Sequence, residues 1–394
     1  MYKKSSRLVG YFFYICAPLF RINSNNMLRK VSLLLIVSVL VMYACSSSSD
    51  SNVSTGDGFN RKAMLTHWAE NIIIPGYTDF AQKTGALKTA VETFTTTPNP
   101  TNLGALRTSW QDAYVVWQKV SIFQIGKAET LNMVNTMNTY PTNVSDLTLN
   151  ITSGNYDLTS QNEYDEQGFP ALDYLLNGAG ADDTAIIANY TGADAAKYNK
   201  YLNDLVIRID ALAKEVLADW NGSFKTSFID NDGSSATSSV DKLVNFYIVS
   251  FFEREVREKK ISFPSGARTG TPVPTNTEAY YKRDISKLLL TTAFNATEDF
   301  FNGKAYSNAT TGQSLKSYLE FLKRNDLVTA INTKIADAKT TIGALGNNFV
   351  DQINNDNIKM TLTFDKLQAL VKDLKVDMAS ALSIKITIED NDGD

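Results

Sequence analysis

Apolar residues recur at spacings of three and four along most of this chain. Leu103, Leu106, Trp110, Ala113, Trp117 and Val120 form one stripe, and Leu202, Leu205, Ile209, Leu212 and Val216 form another that closes near Trp220. Val240, Val244, Tyr247 and Phe251 continue the pattern, followed by Ile285, Leu289, Thr292, Ala296 and Phe300. A long stripe runs Leu327, Ile331, Ile335, Ala338, Ile342, Leu345, Phe349, and a last one Phe364, Leu367, Val371, Leu374, Met378. Such spacing lines up side chains on one helix face, and each stripe is a single face wide, so each helix buries one side against others. A first helix is expected over about 60–83, kinked or broken by Pro75, with shorter helices near 170–177 and 312–324. The expected fold is all-α, as two tandem four-helix-bundle-like halves. Strand alternation is confined to Ser383–Ile388, which reads as a short terminal strand.

Polar punctuation divides the chain. Asn221–Ser239 is rich in Gly, Ser, Asn and Asp, and the halves are expected to be 60–225 and 226–394. Ser262–Thr277 carries three prolines and two glycines, and Asn276 or Thr277 is a candidate cap for the next helix. Gly126–Gly168 is the longest irregular stretch; connections of that length inside compact domains are often functional.

The first 44 residues read as a signal region. Met27-Leu28-Arg29-Lys30 is a short basic segment, and Val31–Val41 gives eleven residues that are apolar except for Ser32 and Ser38. That is too short to span ~30 Å of hydrocarbon as a helix but suits a signal core. Met42-Tyr43-Ala44-Cys45, followed by four serines, resembles a bacterial lipoprotein signal, with lipidation expected at Cys45 and a flexible tether over 45–59. An ordinary secretory signal with a chance cysteine is the alternative. Residues 1–26 place a second apolar patch ahead of this complete signal, so Met27 is the expected start. The expected location is the bacterial cell envelope, anchored to a membrane, the outer one for preference.

Charge sharpens the picture. The 394 residues carry 38 basic and 42 acidic side chains, but six of the basic ones and no acidic one lie in 1–44. The remaining body is acidic, which argues against nucleic acid as a partner. A single histidine, His67, rules out H-E-x-x-H zinc sites, and with no cysteine after Cys45 the body has no disulfide and no thiol nucleophile.

Four groups invite chemistry. His67 and Glu70 share a helix face at i, i+3, where they could hold a metal or simply sit at the surface beside a buried Trp68. Glu163, Asp165, Glu166 and Asp173 surround Gly168; their oxygens suit a divalent metal, or they form a solvated loop and an acidic helix start. Asp230–Gly233 and Asp390–Asp394 look calcium-like but lack the spacing of an EF-hand and fit Asx turns. Trp110, Tyr114 and Trp117 are either a stacking platform or core.

Gly168-Phe169-Pro170-Ala171-Leu172-Asp173-Tyr174-Leu175-Leu176-Asn177-Gly178 resembles the imelysin-like signature G-x-H-A-x-E-Y-L-L-x-G. Asn71–Tyr77 with Phe80, Trp110 and Trp117, Tyr140-Pro141, Tyr201–Trp220, Glu258–Ile261 and Glu278–Tyr281 follow in the family's order, so the resemblance covers about 60–380. It implies two helical halves on an envelope protein. Some members are described as metallopeptidases and others are linked to iron uptake. In this chain Pro170 stands at the family's histidine and Asp173 at its glutamate. Proline suits the first turn of a helix but can be neither a metal ligand nor a general base. The expected function is therefore a non-catalytic binding role toward a small-molecule, peptide or iron-containing ligand, with Gly168, Pro170, Asp173, Tyr174 and Glu278 at the site. A metal-dependent peptidase and a structural partner of an outer-membrane complex are the alternatives.

Overall fold

The computed structural model describes residues 57–388; the expected signal, Cys45 and the Asp390–Asp394 turn lie outside them. The described residues form an all-α fold with no strand, only an isolated bridge between Lys304 and Thr311. No described helix is long and apolar enough to cross a membrane.

Helix α1 runs through Arg61–His67, a π turn Trp68–Ile73, and Ile74–Thr96. Pro75 neither breaks it nor ends it. Proline lacks the N–H that would reach Asn71 O, and that carbonyl accepts from Tyr306 N instead (2.8 Å). Helix α2 (Pro100–Val120) starts at Asn99, whose side chain accepts the Asn102 amide. Next come short helices Lys127–Thr130 and Met133–Asn138, α3 (Val144–Ser153) and a 3₁₀ turn Gln161–Glu166, so the long irregular stretch is partly helical. Helix α4 (Gly168–Asp173) continues into a π turn, Tyr174–Gly178. It is followed by α5 (Asp183–Asn189), α6 (Ala195–Asn221) and α7 (Ser223–Asp230).

Helix α8 comprises Ser239–Asn245, a long π segment Phe246–Ser262 and Phe263–Ser265. The next helix begins at Ser286, not at the Asn276 or Thr277 cap the sequence suggested. Residues 277–285 are held instead in turns, with Ala279 and Arg283 in left-handed backbone, each at φ 55°. Helices α9 (Ser286–Asn302), α10 (Leu315–Phe321), α11 (Asn325–Gly343) and α12 complete the fold. Helix α12 runs through Phe349–Lys372, Asp373–Met378 and Ala379–Ala381. The expected terminal strand is absent: Leu382 and Ile384 are buried, but their segment pairs with a side chain. Asn245 donates to Lys385 O (3.0 Å) and accepts from Thr387 N (2.8 Å).

Packing follows the stripes. Helix α1 lies against α2 and α6; α12 lies against α8 and α11; α9 packs on α2 and joins the two groups. All six predicted stripes are buried along most of their length, and Trp110, Tyr114 and Trp117 are core, not a stacking platform.

Candidate functional site

The signature segment is a buried wedge. Gly168 has φ +76°, and a Cβ there would lie 2.4 Å from Met137 O, so both its backbone and its contact demand glycine. Gln167 fixes the entry by donating to Leu158 O (3.0 Å) and Glu163 O (2.9 Å) while accepting from Arg208 Nε (2.9 Å). Phe169 stacks on Tyr114 with centroids 4.7 Å apart, and its carbonyl accepts from Trp110 Nε1 (3.1 Å). Gly178 ends the segment where a Cβ would lie 2.2 Å from the Tyr281 ring. Tyr174 meets that ring edge-on at 5.2 Å.

Asp173 is buried, and both its oxygens are taken. Oδ2 accepts from Tyr281 N (2.8 Å); Oδ1 accepts from Lys282 N (2.9 Å) and Asn177 Nδ2 (3.1 Å). Burial pushes its pKa up to about 7, against the pull of those donors. Asp173 thus ties α4 to the strained turn before α9.

Glu278 sits a few residues earlier in that turn, also buried. Its Oε1 accepts from Asn138 Nδ2 (2.8 Å) and Gln118 Nε2 (3.0 Å), with the Tyr114 hydroxyl 3.1 Å away. Tyr114 also reaches Asn138 Oδ1 at 2.6 Å. Lys260 Nζ pairs with Glu278 Oε2. Burial opposes the charge on Glu278, but Lys260 and Asn138 outweigh it and hold the carboxyl below its usual range. Burial also draws Lys260 downward.

Beside these groups lies a cavity of about 230 Å³, lined by Pro170, Asp173, Tyr140, Thr277, Tyr280 and Tyr281 among others. The Tyr140 hydroxyl and Thr277 Oγ1 are buried without a hydrogen-bond partner, although buried polar atoms are ordinarily paired. Lys259 Nζ lies 4.7 Å from the centroid of the Tyr140 ring and bonds Asn138 O and Glu255. A larger depression of about 670 Å³ is lined by Lys375 and Ser380 together with the apolar Val376, Ala379, Ile384, Ile386 and Ile388.

The sequence-derived candidates separate into three places. Pro170, Asp173, Tyr174 and Glu278 come together around the 277–283 turn, whereas Gly168 packs on the backbone of Thr136 and Met137. Glu163, Asp165 and Glu166 group at the 3₁₀ turn instead: Asn150 Nδ2 donates to Glu163 Oε2 (2.5 Å) and Tyr201 to Glu166 O (2.7 Å). Burial, reinforced by Asp165 and Glu163, pushes Glu166 up to about 8. His67 is spent on the fold: its Nε2 lies 2.8 Å from Gly303 O, and its ring fills the space a Cβ on Gly312 would take. Glu70 pairs with Lys225 (3.3 Å) at the surface. Asp230 pairs with Lys62 (2.7 Å), and Asn231 closes a turn on Thr237 O (2.9 Å). Among the described residues no three His, Cys, Asp or Glu side chains converge to hold a metal. The donor set around α4 does not fit one either: proline replaces the imidazole, and every oxygen of Asp173 and Glu278 already accepts from the protein. Sequence reasoning placed Tyr140, Lys260 and Glu278 in family-like segments. It missed Gln118 and Asn138, because no local pattern marks a partner that is more than a hundred residues away, and it offered Thr277 only as a helix cap.

These features, a two-group helical fold wrapped around a G-x-x-x-x-D wedge, define an imelysin-type protein. The family model for imelysin (Peptidase M75) matches residues 73–376, and the chain belongs to that family. Two solved structures share the fold. One, from Parabacteroides distasonis, is described as an iron-regulated protein A precursor; it superposes with a TM-score of 0.68 at 17% identity, covering 82% of this chain and 95% of that one. The other, an imelysin-like protein from Psychrobacter arcticum, gives 0.65 at 17% identity, covering 84% and 97%. No curated protein matches the sequence.

Proposed function

We propose that this chain is an envelope-anchored, non-catalytic binding protein that holds a small polar ligand in the cavity beside Pro170. The observation that carries this reading is the division of polar atoms around the cavity. Asp173, the carboxylate in its wall, is committed to the fold, whereas Tyr140 and Thr277 line it with hydroxyls that are buried and unpaired. Hydroxyls bind and orient; without an imidazole or a free carboxylate they do not activate water. The iron-regulated description of one structural neighbour supports a role in iron or nutrient uptake. Ala44-Cys45 after an eleven-residue apolar core supports a lipid anchor.

Elemental analysis of protein purified without chelator, paired with a peptidase assay, tests the site. The expected result is no stoichiometric zinc or iron and no hydrolysis. One-to-one metal held below about micromolar, near −8 kcal/mol, with chelator-sensitive hydrolysis would refute it. Cys45→Ser should release the protein into the soluble fraction and abolish palmitate labelling.

A further inference from the structure

A second cavity, sharing no residue with the first, lies between the π turn of α1, the end of α2 and the outer face of α9. Its volume is about 290 Å³, at the lower edge of the range that suits small organic ligands. The wall is built from aromatic side chains, Phe123, Phe300 and Tyr306, with Ile72 and Ala296 beside them.

Tyr306 is held from three directions. Its backbone N–H donates to Asn71 O (2.8 Å), its hydroxyl bonds Asp79, and its ring lies where a Cβ on Gly76 would come within 3.4 Å of it. The wall therefore stands ready before any ligand arrives, which lowers the entropic cost of binding.

The polar groups are unequally engaged. Lys304 is paired with Asp299 at 3.1 Å. Lys119 has no carboxylate partner among the described residues; its ammonium lies 5.2 Å from the centroid of the Tyr306 ring. Asn295 lines the same space, and its amide makes no hydrogen bond to a described residue. An unpaired ammonium and a free amide at the edge of an aromatic wall are complementary to an anion carrying a flat apolar body.

We infer that this cavity is a binding site for a small aryl-alkyl monocarboxylate, with Lys119 and Asn295 on the carboxylate and Phe123, Phe300 and Tyr306 around the ring. One carboxylate matches one unpaired lysine, and a dianion would meet Asp299.

The probe is phenylacetate, titrated into the full chain in detergent and followed by saturation-transfer NMR and calorimetry, with phenethyl alcohol as its neutral analogue. Phenylacetate should bind with Kd at or below about 1 mM, and the alcohol about tenfold more weakly. Lys119→Met should weaken phenylacetate about tenfold and leave the alcohol unchanged. Ala296→Trp should block both, and Thr292→Trp, on the same lining, serves if that variant fails to fold. The site is refuted if phenylacetate does not bind, if acid and alcohol bind equally, or if a folded Trp variant binds as wild type does. Preference for a tripeptide ending in Phe over phenylacetate would overturn the small-molecule assignment.

Discussion

Replacing Lys260 with Met tests whether the buried network around Glu278 holds the seam between the helical groups. Met keeps most of the lysine stem, so packing changes little and the lost charge dominates. Both partners are buried, Lys260 at 2% and Glu278 at 3% exposure, so the substitution strands a carboxylate that water cannot reach. Breaking such a pair costs about 3–5 kcal/mol. Gln118 and Asn138 remain as donors, which places the expectation at the lower end. The sign with pH follows from the carboxyl. In the wild type its folded pKa is lowered, so its contribution is present above the unfolded value and is lost as pH falls through the folded one. Without Lys260, burial outweighs the remaining pull of Asn138 and Lys259 and the folded pKa rises, so stability is instead lost as pH rises. Urea unfolding should therefore show the variant worst at pH 8 and partly recovered at pH 5. Adding Glu278→Gln removes the stranded charge and should restore more than half of the loss at pH 8. A cost below about 1 kcal/mol at pH 8, or a double variant in which the two losses simply add, would show that the pair does not act as a unit.

Two further tests probe the wedge. Gly168→Ala should destabilise by about 3 kcal/mol or more in urea melts, because the left-handed backbone costs about 1–2 kcal/mol and the added methyl strikes Met137 O. A loss under about 1 kcal/mol would mean that the 136–138 segment yields easily. Asp173, pushed up to about 7, contributes stability that is present below its unfolded pKa and lost as pH rises through 7. Asp173→Asn removes that slope, so the stability difference from wild type should shrink between pH 5 and pH 8; a constant difference would refute the shift.

The helices were largely legible because their buried faces are apolar at a fixed period: Leu103–Val120 and Leu202–Trp220 became α2 and α6. The π segment of α8 was not. Glu253, Arg257, Glu258 and Lys260 look like a solvated face, yet all are buried. They are paired with one another and with Glu278, Gln368 and Lys375. Local periodicity cannot register the partners that arrive from elsewhere in the chain, Glu278, Gln368 and Lys375, and bury these charges. The same limit explains the start of α9: Thr277 has the chemistry of a cap, but Asp173 and Glu278 draw residues 277–283 into turns. The candidate site was half legible. The signature marked α4 correctly, while the acidic residues just before it belong to a separate 3₁₀ turn.

The π turn at Trp68–Ile73 makes chain length a structural variable in its own right. Each α-helical residue advances the helix by about 100°, so the extra residue in a π turn resets which face points inward. It lets Leu65 and Trp68 on one side, and Tyr77 and Phe80 on the other, meet a common core although Pro75 lies between them. Deleting a single residue there would swing the first two turns of α1 off that core and carry His67 away from Gly303, with no side chain altered. At this place an indel is more disruptive than most substitutions, and homologous segments here align correctly only if the bulge is counted.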